Sequence, residues 1–240
     1  MKILITNDDS VSAEQLVPFV RWARKLGDVT VVVPKHEQSG KSQSIQFMDP
    51  FEVKQVQLAE DVTVYTVDSS PADCVRFAVL GLKMKFDLVF SGINHGLNVA
   101  RNIMYSGTAA GIFEAANQGI PAIALSIVYA CYDNATKYLD EIWDYFQKND
   151  LLSKHSLYNV NIAREPKGVL ITRQGSAWYE DEFPPLGNDM YQTSLKATYN
   201  ENDPICYDIM AIRQNYISIS PLTLERTDMA VYEDLIKLNP

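Results

Sequence analysis

The first 34 residues constrain the fold more than any other stretch. KILIT (2–6) is an apolar run of strand length. AEQLVPFVRWARKLG (13–27) follows, with apolar residues at 16, 17, 19, 20, 22, 23 and 26, a helical period that ends at Gly27. Pro18 falls in its first turns, where the missing N–H costs little. VTVVVP (29–34) is a β-branched run closed by proline, a second buried strand. A β-α-β start this short predicts a parallel sheet with a right-handed crossover.

The alternation continues. Strands are expected around FEVKQVQ and VTVYTV, then a helix from SSPADC, with Ser70 as N-cap and Pro71 at the first helical position. FDLVFSG (86–92) reads as a strand, GTAAGIFEAANQG as a helix of small residues, PAIALSI (121–127) as a strand and ATKYLDEIWDYFQKN as a helix. To about residue 163 this is the pattern of a doubly wound α/β fold. From 164 the character changes. GVLITR, DMYQTSLKATYN, CYDIMAIRQ and NYISISPL read as strands separated by Pro, Gly, Asn and Asp, and MAVYEDLIKL as a short helix. The expected organisation is one domain over 1–240, with a Rossmann-like core at 1–163 and a strand-rich extension at 164–240. A projecting ribbon is marginal unless something covers it, so the extension points to oligomerisation.

The bulk numbers suit this reading. A chain of 240 residues, 47% hydrophobic and 21% charged, is ordinary for a globular protein. Folding at this size buries roughly three-quarters of the unfolded surface, so the core needs no covalent staple. The net charge of −9 argues against a broad nucleic-acid-binding face. It does not exclude a small phosphate ligand, because a bound metal reverses the local field. The three cysteines, Cys74, Cys131 and Cys206, are far apart and form no CxxC pair, so a disulfide framework is not expected. No signal peptide or membrane-length apolar run is visible, and a cytoplasmic location is expected.

Ligands of open α/β sheets bind at the carboxyl ends of the strands. Strand 1 ends in Asn7-Asp8-Asp9. These residues suit a polar turn that caps a helix. Two adjacent carboxylates also repel each other unless a cation sits between them, and hard oxygens suit Mg²⁺, Mn²⁺ or Ca²⁺. Strand 2 leads into KHEQSGKS. Its GKS is not a P-loop, since position 35 is Lys where that motif needs Gly, and the residues after 42 look extended. A Ser-Gly turn remains that can bring Ser39 near the end of strand 1. FDLVFSG is followed by Asn94, His95 and Asn98. Asn94 offers another hard oxygen, whereas His95 and Asn98 also suit hydrogen-bonded turn roles. Ser106-Gly107-Thr108 opens the small-residue helix: a plain helix cap, or an anion site of free N–H groups, hydroxyls and a glycine. Together these residues have the layout of a metal-dependent phosphate-transfer site.

Over nearly its whole length the chain resembles the SurE survival proteins, a family of metal-dependent nucleotidases. The resemblance is carried by ITNDD (5–9), VPKHEQSGKS (33–42), SPADCV (70–75), DLVFSGINHGLN (87–98), YSGTAAG (105–111), GIPAIALS (119–126), NVNIA (159–163) and YISISPL (216–222). It implies a Rossmann-like three-layer α/β fold with a mostly parallel sheet and a C-terminal β-hairpin used in oligomerisation. It also implies one divalent metal ion per subunit, Mg²⁺ or Mn²⁺, held by Asp8, Asp9, Ser39 and Asn94. Asp8, Asp9 and Asn94 would serve catalysis. The phosphate pocket would fall on Asn94, Ser106, Gly107 and Thr108.

The implied activity is hydrolysis of nucleoside 5′-monophosphates, and of 3′-monophosphates, to nucleoside and phosphate. The implied partners are these small molecules and further copies of the chain in a homodimer or homotetramer, with no nucleic-acid polymer as main ligand and no membrane. A short-chain exopolyphosphatase and a non-catalytic nucleotide sensor are the alternatives. An aspartyl-phosphate route of the haloacid-dehalogenase kind is disfavoured, because Ser10 and Val11 stand two residues after Asp8 and Asp9. A receiver-like signalling domain is disfavoured because FDLVFSG offers Ser91 where a phosphoacceptor aspartate is needed. The chain departs from the family at Ser10 and Ala13, where glycine is usual, at His36, which is often arginine, and at Ser69, just ahead of SPADC. Ser10 with positive φ would carry strain beside the metal ligands.

Overall fold

The computed structural model describes residues 1–239; Pro240, the last residue of the expected extension, lies outside the described residues. The chain runs β1 (Lys2–Thr6), α1 (Leu16–Ala23), β2 (Asp28–Pro34), β3 (Val53–Ala59), β4 (Val62–Val67), α2 (Pro71–Arg76), β5 (Leu88–His95), α3 (Gly107–Asn117), β6 (Ala122–Ile127), α4 (Leu139–Lys148), α5 (Leu151–Lys154) and β7 (Leu157–Ile162). It continues with β8 (Val169–Ile171), β9 (Trp178–Glu182), β10 (Pro185–Gly187), β11 (Met190–Tyr191), β12 (Ser194–Thr198), α6 (Asp208–Arg213), β13 (Ile217–Pro221) and α7 (Met229–Leu235).

The main sheet has nine strands in the order β3-β4-β2-β1-β5-β6-β7-β13-β8. Only β3 on β4 and β13 on β7 pair antiparallel. Strand alternation makes it a three-layer fold, because successive side chains leave opposite faces. Ile3 and Ile5 face a cluster with Phe19, Val20 and Trp22 of α1 and Phe146 of α4. Leu4 faces the other way, with Cys74 and Val75 of α2 and Ile112 and Ala115 of α3. The first cluster includes a close aromatic group in which Phe90 meets Phe19, Trp22 and Trp143 at centroid distances of 5.7, 5.7 and 6.2 Å.

The strand order reverses between β1 and β5. From β1 the chain winds outward through β2 and the parallel β4, then crosses back so that β5 lies on the other side of β1. The crevice at the carboxyl ends of this pair is where an open α/β sheet receives a ligand.

The C-terminal third differs from the pattern read in the sequence. CYDIMAIRQ contains the helix α6, not a strand. Asp208 opens that helix as a buried carboxylate that accepts from the N–H groups of Ala100, Gly175 and Ile209 at 2.8, 2.9 and 2.7 Å. Burial pushes its pKa up, against the pull of those donors. DMYQTSLKATYN divides into β11 and β12, which return along β10 and β9 as one long hairpin. Its turn is Asn188-Asp189, both with positive φ as a hairpin turn requires. β8 and β13 do not belong to this arm but complete the main sheet. The cysteines are free thiols. Among the described residues no helix is long and apolar enough to cross a membrane.

Candidate active site

The site is built where β1, β5, the loop after β2 and the start of α3 meet. β1 delivers Asp8 and Asp9 just past its last residue, Thr6, which pairs with Ser91 of β5. A register shift between Ser91 and Asn94 bends β5 at this point. Such a bulge re-aims the side chains that follow it. The backbone N–H of His95 then donates to Asp9 Oδ2 at 3.1 Å, which joins the two strand ends. The loop after β2 is tied in by Gln38, whose N–H donates to the carbonyl of Asp8 at 2.8 Å.

Helix α3 comes unusually close. A Cβ on Gly107 would lie 2.7 Å from Asp8 Cβ and 2.8 Å from Asp8 Oδ2, and one on Gly111 would lie 2.7 Å from Ser91 Oγ. Glycine at both positions lets the helix start press against the strand ends. Ser106 caps it, accepting from the N–H of Ala109 at 2.9 Å. Thr108 is fully buried, and its hydroxyl donates to Asp8 Oδ1 at 2.6 Å. That hydroxyl accepts in turn from Asn98 Nδ2 at 3.2 Å. Thr108 therefore sits in the wall of the site and holds Asp8, whereas Ser106 borders an adjacent hollow with Lys41 and Arg226.

Asn98 is the hub behind that wall. Its side chain also donates to Ser126 Oγ at 3.0 Å, its N–H donates to Asn161 Oδ1 at 2.8 Å, and its carbonyl accepts from Asn159 and Asn161 at 2.7 and 3.0 Å. Densely bonded buried networks of this kind fix one geometry. The polar positions of NVNIA within a buried strand were the available signal for it.

The electrostatics are one-sided. Burial drives the Asp8 carboxyl above the ordinary range, against its hydrogen bonds to Thr108. Burial and the charge of Asp8 push Asp9 up to about 7. Glu37, which no spacing in the sequence marks, raises both further. Asp9, Glu14, Glu37, Ser39 and His95 line a hollow of about 360 Å³. Among the described residues none of Asp8, Asp9, Glu14 and Glu37 has an ion-pair partner. Nearby, Asn7 Oδ1 is buried with no hydrogen-bond partner.

These residues fit a hard divalent cation. Crowded carboxylates without a cationic neighbour, beside a hydroxyl and an amide, form an oxygen donor set of the kind Mg²⁺ and Mn²⁺ take. Asn94 uses its Nδ2 to donate to the carbonyl of Gly96 at 2.9 Å, an orientation that reserves Oδ1 as an acceptor. Ser39 is exposed and donates to Glu37 at 2.8 Å, which keeps its oxygen lone pairs available. Among the described residues no group of three His, Cys, Asp or Glu side chains could hold a metal. The expected set contains two carboxylates, its other donors being Ser39 and Asn94. Ser10, next to these carboxylates, has φ +73 and lies in the left-handed region. His95 takes a structural role as well: its ring is stacked between Tyr129 and Tyr132.

The arrangement can be compared with known proteins. The model of the survival protein SurE family matches residues 3–181. A 5′-nucleotidase SurE of Thermosipho melanesiensis is 34% identical over 240 residues, 95% of this chain and 93% of that protein. One of Natranaerobius thermophilus is 35% identical over 253 residues, 98% of this chain and 97% of that protein. The crystal structure of the SurE protein from Aquifex aeolicus superposes with a TM-score of 0.82 at 29% identity and covers 100% of both chains. With the family model matched over most of its length and full-length relatives at this identity, the chain belongs to the SurE family.

Proposed function

We propose that this protein is a divalent-metal-dependent phosphoric monoester hydrolase that cleaves nucleoside 5′-monophosphates, and also 3′-monophosphates, to nucleoside and phosphate. The supporting observation is the contact of Gly107 and Thr108 with Asp8, which brings the start of α3 against a crowded carboxylate pair. The relatives' name, 5′-nucleotidase, agrees with that chemistry.

In this reading Asp8, Asp9, Ser39 and Asn94 hold one Mg²⁺ or Mn²⁺ ion, which when bound withdraws charge from the phosphoryl oxygens and assists the attacking water. Asn94, Ser106 and the free N–H at the start of α3 orient the phosphate and stabilise the charge of the transition state. Thr108 and Asn98 keep Asp8 in position. Asp8 is enclosed by these partners, while Asp9 borders the open hollow. Asp9 is therefore assigned to orient the attacking water.

We also assign the chain to a homo-oligomer. Phe183, Leu186, Met190 and Tyr191 on the hairpin are more than 60% exposed, a costly display for a lone arm. A second copy is the expected cover, in a dimer or tetramer. The organisation we favour is one domain with a projecting arm, located in the cytoplasm.

The test is phosphate release from a panel of nucleoside monophosphates with Mg²⁺, Mn²⁺ or a chelator. Release that depends on added metal supports the assignment. Binding of nucleotide without release under any metal would turn it into a sensor, and preference for tripolyphosphate over every nucleotide would turn it into an exopolyphosphatase.

A further inference from the structure

We infer that Tyr129 is the platform on which the nucleobase of the substrate stacks. This rests on the nucleotidase reading above and extends it to the far end of the substrate.

Tyr129, His95 and Tyr132 form a pile of near-parallel rings. The His95 centroid lies 3.9 Å from Tyr129 at 10° and 4.2 Å from Tyr132 at 13°. Two rings this close and this parallel cannot share one face of an imidazole, so they occupy opposite faces. Tyr132 is 6% exposed and anchors the inner end of the pile. Tyr129 is 70% exposed and ends it, with its outer face toward solvent. His95 Nε2 lies 3.2 Å from the carbonyl of Tyr129, a hydrogen bond that fixes the two residues together. A large ring held in a fixed plane with one face uncovered is a poor use of an aromatic side chain unless that face meets something flat.

Its position says what that would be. His95 follows Asn94 directly and donates its N–H to Asp9, so the pile starts at the proposed phosphate-transfer site. Tyr129 lines the polar hollow of Asp9, Glu37 and Ser39. The same residue lines a second hollow of about 280 Å³ whose walls include Leu97, Val99, Tyr199 and Ile209. One ring thus divides an anionic, metal-suited side from an apolar recess. A nucleoside monophosphate has the matching layout, a phosphate at one end and a flat aromatic base at the other. A sugar phosphate or a polyphosphate has nothing to place in the recess. Tyr199 comes from the C-terminal arm region and is held by Arg213 stacked 4.0 Å above its ring, so the recess is closed by a residue outside the Rossmann-like core.

Stacking of a base on an aromatic side chain is sequence-tolerant, and its loss lowers affinity by roughly 10-fold. The experiment compares wild type, Tyr129→Ala and Tyr129→Trp on AMP, UMP and ribose 5-phosphate with Mn²⁺. We expect Tyr129→Ala to raise KM for the nucleotides about 10-fold with kcat little changed, and to lower the preference for nucleotide over ribose 5-phosphate by a similar factor. Tyr129→Trp should restore nucleotide KM. An equal loss on all three substrates, or no change in the preference, overturns the inference. Calorimetric titration of the same proteins with AMP in the presence of Ca²⁺ judges stacking without turnover. If wild type releases no phosphate from nucleotides, the nucleotidase reading falls, while weaker AMP binding by Tyr129→Ala would still uphold the platform, and equal binding would defeat it.

Discussion

Thr108 Oγ1 and Asp8 Oδ1 lie 2.6 Å apart in a buried hydrogen bond that helps join the two halves of the site. Asp8 belongs to the strand end that carries the proposed metal ligands. Thr108 belongs to the helix start that would receive the phosphate. Their relative position is held by the fold's own hydrogen bond, which is the preorganisation that electrostatic catalysis needs.

Replacing Thr108 with Val keeps the shape and removes the donor. Asp8 then loses a partner in a buried setting, a change that costs about 1–3 kcal/mol of stability. Groups that orient a metal ligand typically contribute about 10- to 100-fold to affinity or activity. We expect T108V to lose activity on that scale in kcat/KM, and T108S to retain most of it. Denaturant titration and steady-state kinetics check both values; a fully active T108V would remove Thr108 from the positioning role.

Asp9→Asn should lower phosphate release by at least ~100-fold with either Mg²⁺ or Mn²⁺, the scale of one strong transition-state interaction. Near-normal turnover by this variant would sink the assignment of Asp9 to the metal and the attacking water.

Metal binding should depend on pH in a direction set by the raised carboxyls. The folded, metal-free protein keeps a proton on Asp9 up to about pH 7, and Asp8 is also raised, while the unfolded chain releases both near pH 4. Between those limits the folded state binds more protons, so metal-free stability falls as pH rises through that window. A cation must displace those protons, and its binding strengthens over the same range. Thermal unfolding with and without Mn²⁺ should therefore show a larger stabilisation at about pH 8 than at about pH 5.5. A shift of equal size at both values would contradict the ligand assignment.

Ser10→Gly should leave the stability of the fold nearly unchanged. Serine at φ +73 carries backbone strain on the order of 1–2 kcal/mol. Glycine relieves it at an entropic cost of about 0.5–1 kcal/mol and gives up the 2.8 Å bond between Ser10 Oγ and Ser12 Oγ. With that bond contributing about 0.5–1.5 kcal/mol, the terms nearly cancel, and denaturant titration should show a change within about 1 kcal/mol; a larger loss or gain would contradict this balance.

Asp208→Ala should cost about 3 kcal/mol, because it leaves buried N–H groups of Ala100 and Gly175 without an acceptor. Ala100 has φ +50 and stands just ahead of the segment that leads into Ser106, so activity should fall along with stability. A variant as stable as wild type would show that the Asp208 clamp is dispensable.

The doubly wound core was legible because its signals are local. The β-branched runs, the helical period of residues 13–27 and the cap at Ser70 each act within one element, and β4 spans the VTVYTV read from the sequence. The helix α6 was not legible because CYDIMAIRQ has the apolar content of a strand. Its first residue, Asp208, is held by distant N–H groups of Ala100 and Gly175, contacts that the segment's own residues do not reveal. Glu37, Tyr129 and Tyr132 escaped notice for a related reason: a lone glutamate and scattered tyrosines have no spacing that marks a site.

By itself the sequence determined the alternation of strands and helices, and with it the strand ends where Asp8, Asp9 and Asn94 had to fall. It also determined the small residues that let α3 approach. Only the tertiary structure decided which groups meet there. It turned Thr108 inward onto Asp8, left Asp9 bordering the open hollow, and stacked His95 between two tyrosines from a later segment. The physical reason is range. Periodicity and capping are written within a few residues, whereas burial, charge crowding and ring stacking depend on neighbours that the chain brings together only on folding.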